Sequence, residues 1–278
     1  MGPNNQLLES IGTSFAAPIA SSVAANVYHF VSKNNEMEIT SELVKALVVH
    51  SALLSPDKID STTVNHKGFG VPGDVTDNLY CDPNCMTMVF EADVRHGGFE
   101  FERFPMPIPD CLITEDKKFR GEMLMTLVYS PLVDENYASE YCRTNVEVGL
   151  GNYVPNPDDP EKLGSFNSMV PLAPKLVKEL FEREQIKSGF KWSPVKAYHR
   201  KFPRGVAVDT WRLKMKVSRR AEDPAPPQPQ KAVLLLSVRG LNGEDRVYNQ
   251  TVQMMNRIGW SSIDVDQHIR VRANTRRR

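Results

Sequence analysis

The sequence predicts a short helical segment followed by an antiparallel β-sandwich or jelly-roll. Residues 12–32 and 39–54 place apolar side chains at helical spacing. After Cys85 the pattern changes to period-two stretches rich in β-branched and aromatic residues, and roughly eight such stretches follow. The boundary between the two patterns divides the chain into residues 1–84 and 85–278.

The first helix opens on Gly12, where the backbone can turn sharply, and on Thr13 and Ser14, which suit a helix start. Ala16, Ala20, Val23, Ala24, Val27 and Val31 then form one narrow apolar face. The small residues Ala16, Ala17, Ala20, Ser21, Ser22, Ala24 and Ala25 allow close packing, so a central, buried helix is expected. Pro18 is expected in the first turn, where a missing N–H costs little. Ile39–Leu54 reads as a second amphipathic helix, with Thr40 as N-cap and Glu42 in the first turn. His50 falls among Leu47, Val48, Val49 and Leu53, which points to a packed role. Gly68-Phe69-Gly70 and Val71-Pro72-Gly73 form a turn.

The expected strands are Met86–Val94, Gly98–Phe104, Gly121–Ser130, Tyr141–Gly151, Val206–Val217, Ala232–Arg239, Arg246–Met254 and Ile263–Arg272. Pro105, Pro107 and Pro109 mark an extended edge after the second of these. Asn242-Gly243 reads as a hairpin turn. Pro171–Lys187 reads as a surface helix inside a helical insertion at about residues 152–205, and Ala221–Gln230 as a loop or flexible linker.

The heptapeptide Gly12-Thr13-Ser14-Phe15-Ala16-Ala17-Pro18 resembles the nucleophile motif of the subtilisin-like serine proteases, the subtilases. The second helix and the Gly68-Phe69-Gly70 turn follow in the order that family uses, so the resemblance spans about residues 5–80. It implies that the helical segment is an α/β remnant, the C-terminal helices of a subtilisin-like domain, followed by an accessory β-domain. It implies Ser14 as nucleophile and backbone oxyanion donor, with Gly12, Thr13 and Pro18 as supporting motif residues. The implied reaction is endopeptidase cleavage of a polypeptide substrate through an acyl-enzyme, with no cofactor and no metal. The subtilisin order is Asp, His, Ser, and neither an aspartate nor a histidine precedes Ser14. The expected partner is therefore the missing N-terminal part of the catalytic domain, from the same gene or a separate chain. Without it this chain should be inactive. The alternative is a non-catalytic binding or structural protein built on a degenerate remnant.

An internal base is hard to find. His29 lies fifteen residues after Ser14, roughly 22 Å away along one continuous helix, whereas a base must come within about 3 Å. Nothing marks His66, His96, His199 or His268. Acidic and basic residues balance at 34 each, so no global field attracts nucleic acid or a membrane surface, and no such partner is expected. No apolar run reaches the roughly 20 residues of a membrane span. Four cysteines, with Cys81 and Cys85 close together, read as free thiols in a reducing, cytoplasmic compartment rather than as a disulfide framework. Asp57, Asp60, Asp74, Asp77 and Asp82 read as solvated loop. On its own, the helical segment should expose its alanine face while the β part folds independently.

Overall fold

The computed structural model describes residues 12–33, 38–54, 68–73, 82–94, 101–155, 163–172, 193–220, 229–260, 262–265 and 268–271. Two helices come first, α1 (Thr13–Ser32) and α2 (Ser41–Leu54). Strands β1 (Cys85–Val94), β2 (Phe101–Arg103), β3 (Glu122–Tyr129), β4 (Thr144–Pro155), β5 (Leu163–Ser168), β6 (Val195–Lys201), β7 (Arg212–Arg219) and β8 (Gln230–Arg239) follow. Helix α3 (Val247–Arg257) and the ribbon β9 (Ser262–Val265) and β10 (His268–Val271) complete the described elements.

The eight longer-range strands form two open four-stranded sheets, ordered β1-β8-β3-β6 and β2-β7-β4-β5, antiparallel throughout. One apolar core joins them. Met88, Phe90, Met125, Leu127 and Leu236 of the first sheet cluster with Val146, Val148, Leu150, Leu213 and Met215 of the second. Phe119, Phe202 and Trp211 close one end with edge-to-face rings at 5.7 and 5.6 Å. Helix α3 covers the same core with Val247, Thr251 and Met255.

The opposite face of the first sheet carries the helices. In β3 all eight residues are buried: Met123, Met125, Leu127 and Tyr129 enter the inter-sheet core, while Leu124 and Val128 meet the helical layer. Strand β8 divides likewise, with Val233 and Leu235 meeting Val27, Val31, Leu43, Ala46 and Leu47. Helix α2 buries seven residues there, whereas α1 buries only Val27 and Val31. Gly12 and residues 13–22 of α1 are all exposed. The central, buried first helix expected from its alanines is thus half right: its second half docks on the sheet and its first half is bare.

Several strand expectations need correction. Arg246–Met254 is not a strand but lies in α3, because Val247, Thr251 and Met255 at four-residue spacing put one helical face into the core. The turn at Asn242-Gly243, with Gly243 at φ 74°, therefore leads into a helix rather than back into a hairpin. The described parts of 152–205 contain β5 and β6, so the insertion is not wholly helical. Gln230, expected in the linker, is the first residue of β8. Val206 makes only an isolated bridge to Phe119, and β7 starts at Arg212. Residues 95–100, 173–192 and 221–228, where part of the second strand, most of the surface helix and the linker were expected, lie outside the described residues. Among the described residues no helix is long and apolar enough to cross a membrane.

Candidate functional site

Ser14 is the second residue of α1 and is exposed. Gly12 precedes the helix in extended conformation, and its carbonyl accepts the N–H of Phe15 at 3.0 Å and of Ala16 at 3.3 Å. Those are the first bonds of the helix. Thr13 and Ser14 stand before them, so their N–H groups have no acceptor within it. The positive end of the helix dipole reinforces these donors. A hydroxyl and an outward N–H on one residue can attack a carbonyl and hold the resulting oxyanion.

Pro18 is the sixth helical residue, one turn later than expected. Its ring nitrogen cannot bond the Ser14 carbonyl four residues back, so the helix lacks one rung directly behind the serine. Phe15 and Ile19 stand 60% and 67% exposed beside it. Gly68 and Gly70 have φ of 58° and 106°, conformations that glycine alone adopts cheaply. Phe69 between them packs on Leu53, Leu124 and Ala197, which returns the chain to the sheet.

None of the described imidazoles serves Ser14. His29 is exposed on the same unbroken helix. His50, by contrast, is only 2% exposed and sits between α2 and the first sheet. Its Nδ1 is 2.8 Å from Thr126 Oγ1 on β3, and its Nε2 is 2.7 Å from Ser237 Oγ on β8. Ser237 in turn meets Thr87 Oγ1 of β1 at 2.5 Å. Burial, with Arg239 adding repulsion, pushes the imidazole down to about 3, so the ring is neutral. One nitrogen donates and the other accepts, keying α2 to three strands at once.

His199 belongs to a second cluster that the sequence did not reveal. Its Nε2 lies 2.6 Å from Oε1 of the buried Glu122, whose Oε2 accepts from Arg239 Nε at 2.9 Å. Burial raises the Glu122 carboxyl, but the bonds from His199 and Arg239 outweigh it and hold the group at about 2. Arg239 also donates to the Leu54 carbonyl at 3.3 Å and so caps α2. A partial signal existed: Glu122 and Arg239 stand at the same end of the otherwise apolar strands β3 and β8.

His66, His96, Cys81, Asp57, Asp60, Asp74 and Asp77 lie outside the described residues. Cys111 and Cys142 are free thiols, and Cys85 is buried at the start of β1. Residues 2–71 match Peptidase_S8, the Subtilase family, which is 70 of the 278 residues. No curated protein matches the chain.

Proposed function

We propose, from the match of residues 2–71 to the subtilase family, that this chain supplies the nucleophile of a subtilisin-like serine endopeptidase. Ser14 attacks the scissile carbonyl to form an acyl-enzyme, and its own backbone N–H helps hold the oxyanion. Polypeptide outside these 278 residues contributes the base histidine, its orienting aspartate and the second oxyanion donor. Gly12 and Thr13 set the helix start, and Pro18 keeps the small-residue turn behind the serine. The β-sheets form an accessory β-sandwich domain on which the helical segment rests. The carrying observation is Ser14 exposed on the first turn of α1 inside the subtilase match.

A second reading has one observation in its favour. His50 is committed to Thr126 and Ser237 and His199 to Glu122, and His29 is held on the serine's own helix. On that reading the segment is a non-catalytic support for the β-domain. A fluorophosphonate probe separates the two, because it labels only an activated serine. The natural protein, purified from its source cells, should carry the label on the peptide containing Ser14. Ser14→Ala should lose the label and lower peptide hydrolysis by roughly a million-fold while leaving the fold intact. An unlabelled Ser14 in the natural protein would favour the support role.

A further inference from the structure

Lys196 is buried to 2% exposure between the two sheets, an unusual place for an ammonium group. Its Nζ lies 2.5 Å from Oδ1 of Asn145 and 2.5 Å from the Val146 carbonyl. Asn145 is itself 1% exposed. Lys196 is on β6 of the first sheet and Asn145 on β4 of the second, so the pair bridges the core. Two further side chains complete the group. Tyr129 Oη donates to the same Asn145 Oδ1 at 3.2 Å, and Asn145 Nδ2 donates to Glu147 Oε1 at 3.2 Å.

The geometry points to a covalent modification: we propose that Lys196 and Asn145 form an intramolecular isopeptide bond that ties the two sheets together. With a C=O bond of about 1.23 Å, the Asn145 carbonyl carbon lies within roughly 3.7 Å of Nζ, close to the distance of a productive attack. The step requires the uncharged amine, whose nitrogen lone pair attacks the carbonyl carbon. The lysine nitrogen bonds to Cγ, the Cγ–Nδ2 bond breaks, and the side-chain nitrogen of Asn145 leaves as ammonia. The one proton shed by the amine passes to that leaving nitrogen. Glu147, already hydrogen-bonded to Nδ2, is the carboxylate placed to deliver it to the leaving nitrogen. Tyr129 stabilises the charge that develops on Oδ1. Atoms and electrons balance without an oxidant, metal or second substrate. The bond that forms is an ordinary amide, shielded from the water that would otherwise hydrolyse the carboxamide.

Intact-mass measurement of the denatured full chain tests this directly. The chain should be lighter than its sequence mass by one ammonia, and a digest should yield one branched peptide containing both Lys196 and Asn145. Asn242-Gly243 offers another route to the same mass loss, through cyclisation on the backbone. Lys196→Arg keeps the positive charge but cannot form the bond, so the loss should vanish in that variant. Recovery of Lys196 and Asn145 in separate, unmodified peptides from the wild-type chain overturns the proposal. So does an ammonia loss that persists unchanged in Lys196→Arg.

Discussion

Acid should loosen the attachment of the helices to the sheet, and His50 sets the size of the effect. The folded imidazole titrates at about 3, against 6.5 for the unperturbed group. Below about pH 6.5 the unfolded chain takes up a proton that the folded chain refuses, so stability falls with acidification. The contribution is fully present above about 6.5 and is lost progressively down to about 3. Each pKa unit is worth about 1.4 kcal/mol, so the ceiling is roughly 5 kcal/mol, comparable to the whole stability of many domains. Between about pH 7 and pH 5 the expected loss is about 2 kcal/mol. Glu122, held at about 2 against 4.5, also loses stabilisation in acid, but only below about 4.5. The window above about pH 5 therefore isolates the histidine from that carboxylate. Urea unfolding at several pH values, read by tryptophan fluorescence, gives the slope. His50→Gln cannot titrate yet can still donate to one hydroxyl and accept from the other. It should cost about 1–3 kcal/mol at neutral pH and flatten the slope. An unchanged slope in His50→Gln, or an imidazole titrating near its ordinary value by NMR, would refute the account.

Two further outcomes test the packing. Gly151→Ala should unpair β4 from β5, because the added methyl carbon would sit 2.0 Å from the Asn167 carbonyl oxygen, a backbone atom that cannot swing aside. A loss of about 3 kcal/mol or more in urea is expected, and a loss below about 0.5 kcal/mol would mean the strands do not approach so closely. Contrary to the independent folding expected of the β part, a chain beginning at residue 85 should elute as soluble aggregate in size-exclusion chromatography rather than as monomer. It would bare Val89, Leu124, Val128, Val233 and Leu235 on one sheet face. A stable monomer would show that the helical layer is dispensable.

Much of this arrangement is written locally. Strands β1, β3 and β8 fall within two residues of their expected bounds, because β-branched and apolar runs bounded by turn residues leave few alternatives. Both N-terminal helices follow from spacing and from Thr40, whose Oγ1 caps the Leu43 N–H at 3.1 Å. Strand β6 escaped notice because Lys196, His199, Arg200 and Lys201 make it look like surface. Their partners are remote: Lys196 finds Asn145 and His199 finds Glu122, 51 and 77 residues earlier in the chain. The role of His50 was legible only as burial. Its hydroxyl partners lie 76 and 187 residues away, and no pattern within the helix announces them.

Composition did carry one unread message about the site. An antiparallel sheet with a wet face alternates apolar and polar residues, whereas Met123–Val128 and Ala232–Leu236 run almost continuously apolar. Such runs require cover on both faces, and the helical segment is that cover. The consequence for Ser14 is mechanical. Helix α1 is anchored through Val23, Val27 and Val31, which leaves the serine on a lever roughly 14 Å beyond the nearest anchor at about 1.5 Å per residue. A tilt of a few degrees at the anchor displaces the hydroxyl by about 1 Å, enough to cost about two orders of magnitude in a positioned reaction. The sheet therefore fixes the direction of the helix without holding its tip to catalytic tolerance. On the proposed reading that last constraint must come from polypeptide packed along Phe15, Ile19 and the alanines between them, the part of α1 that this chain leaves uncovered.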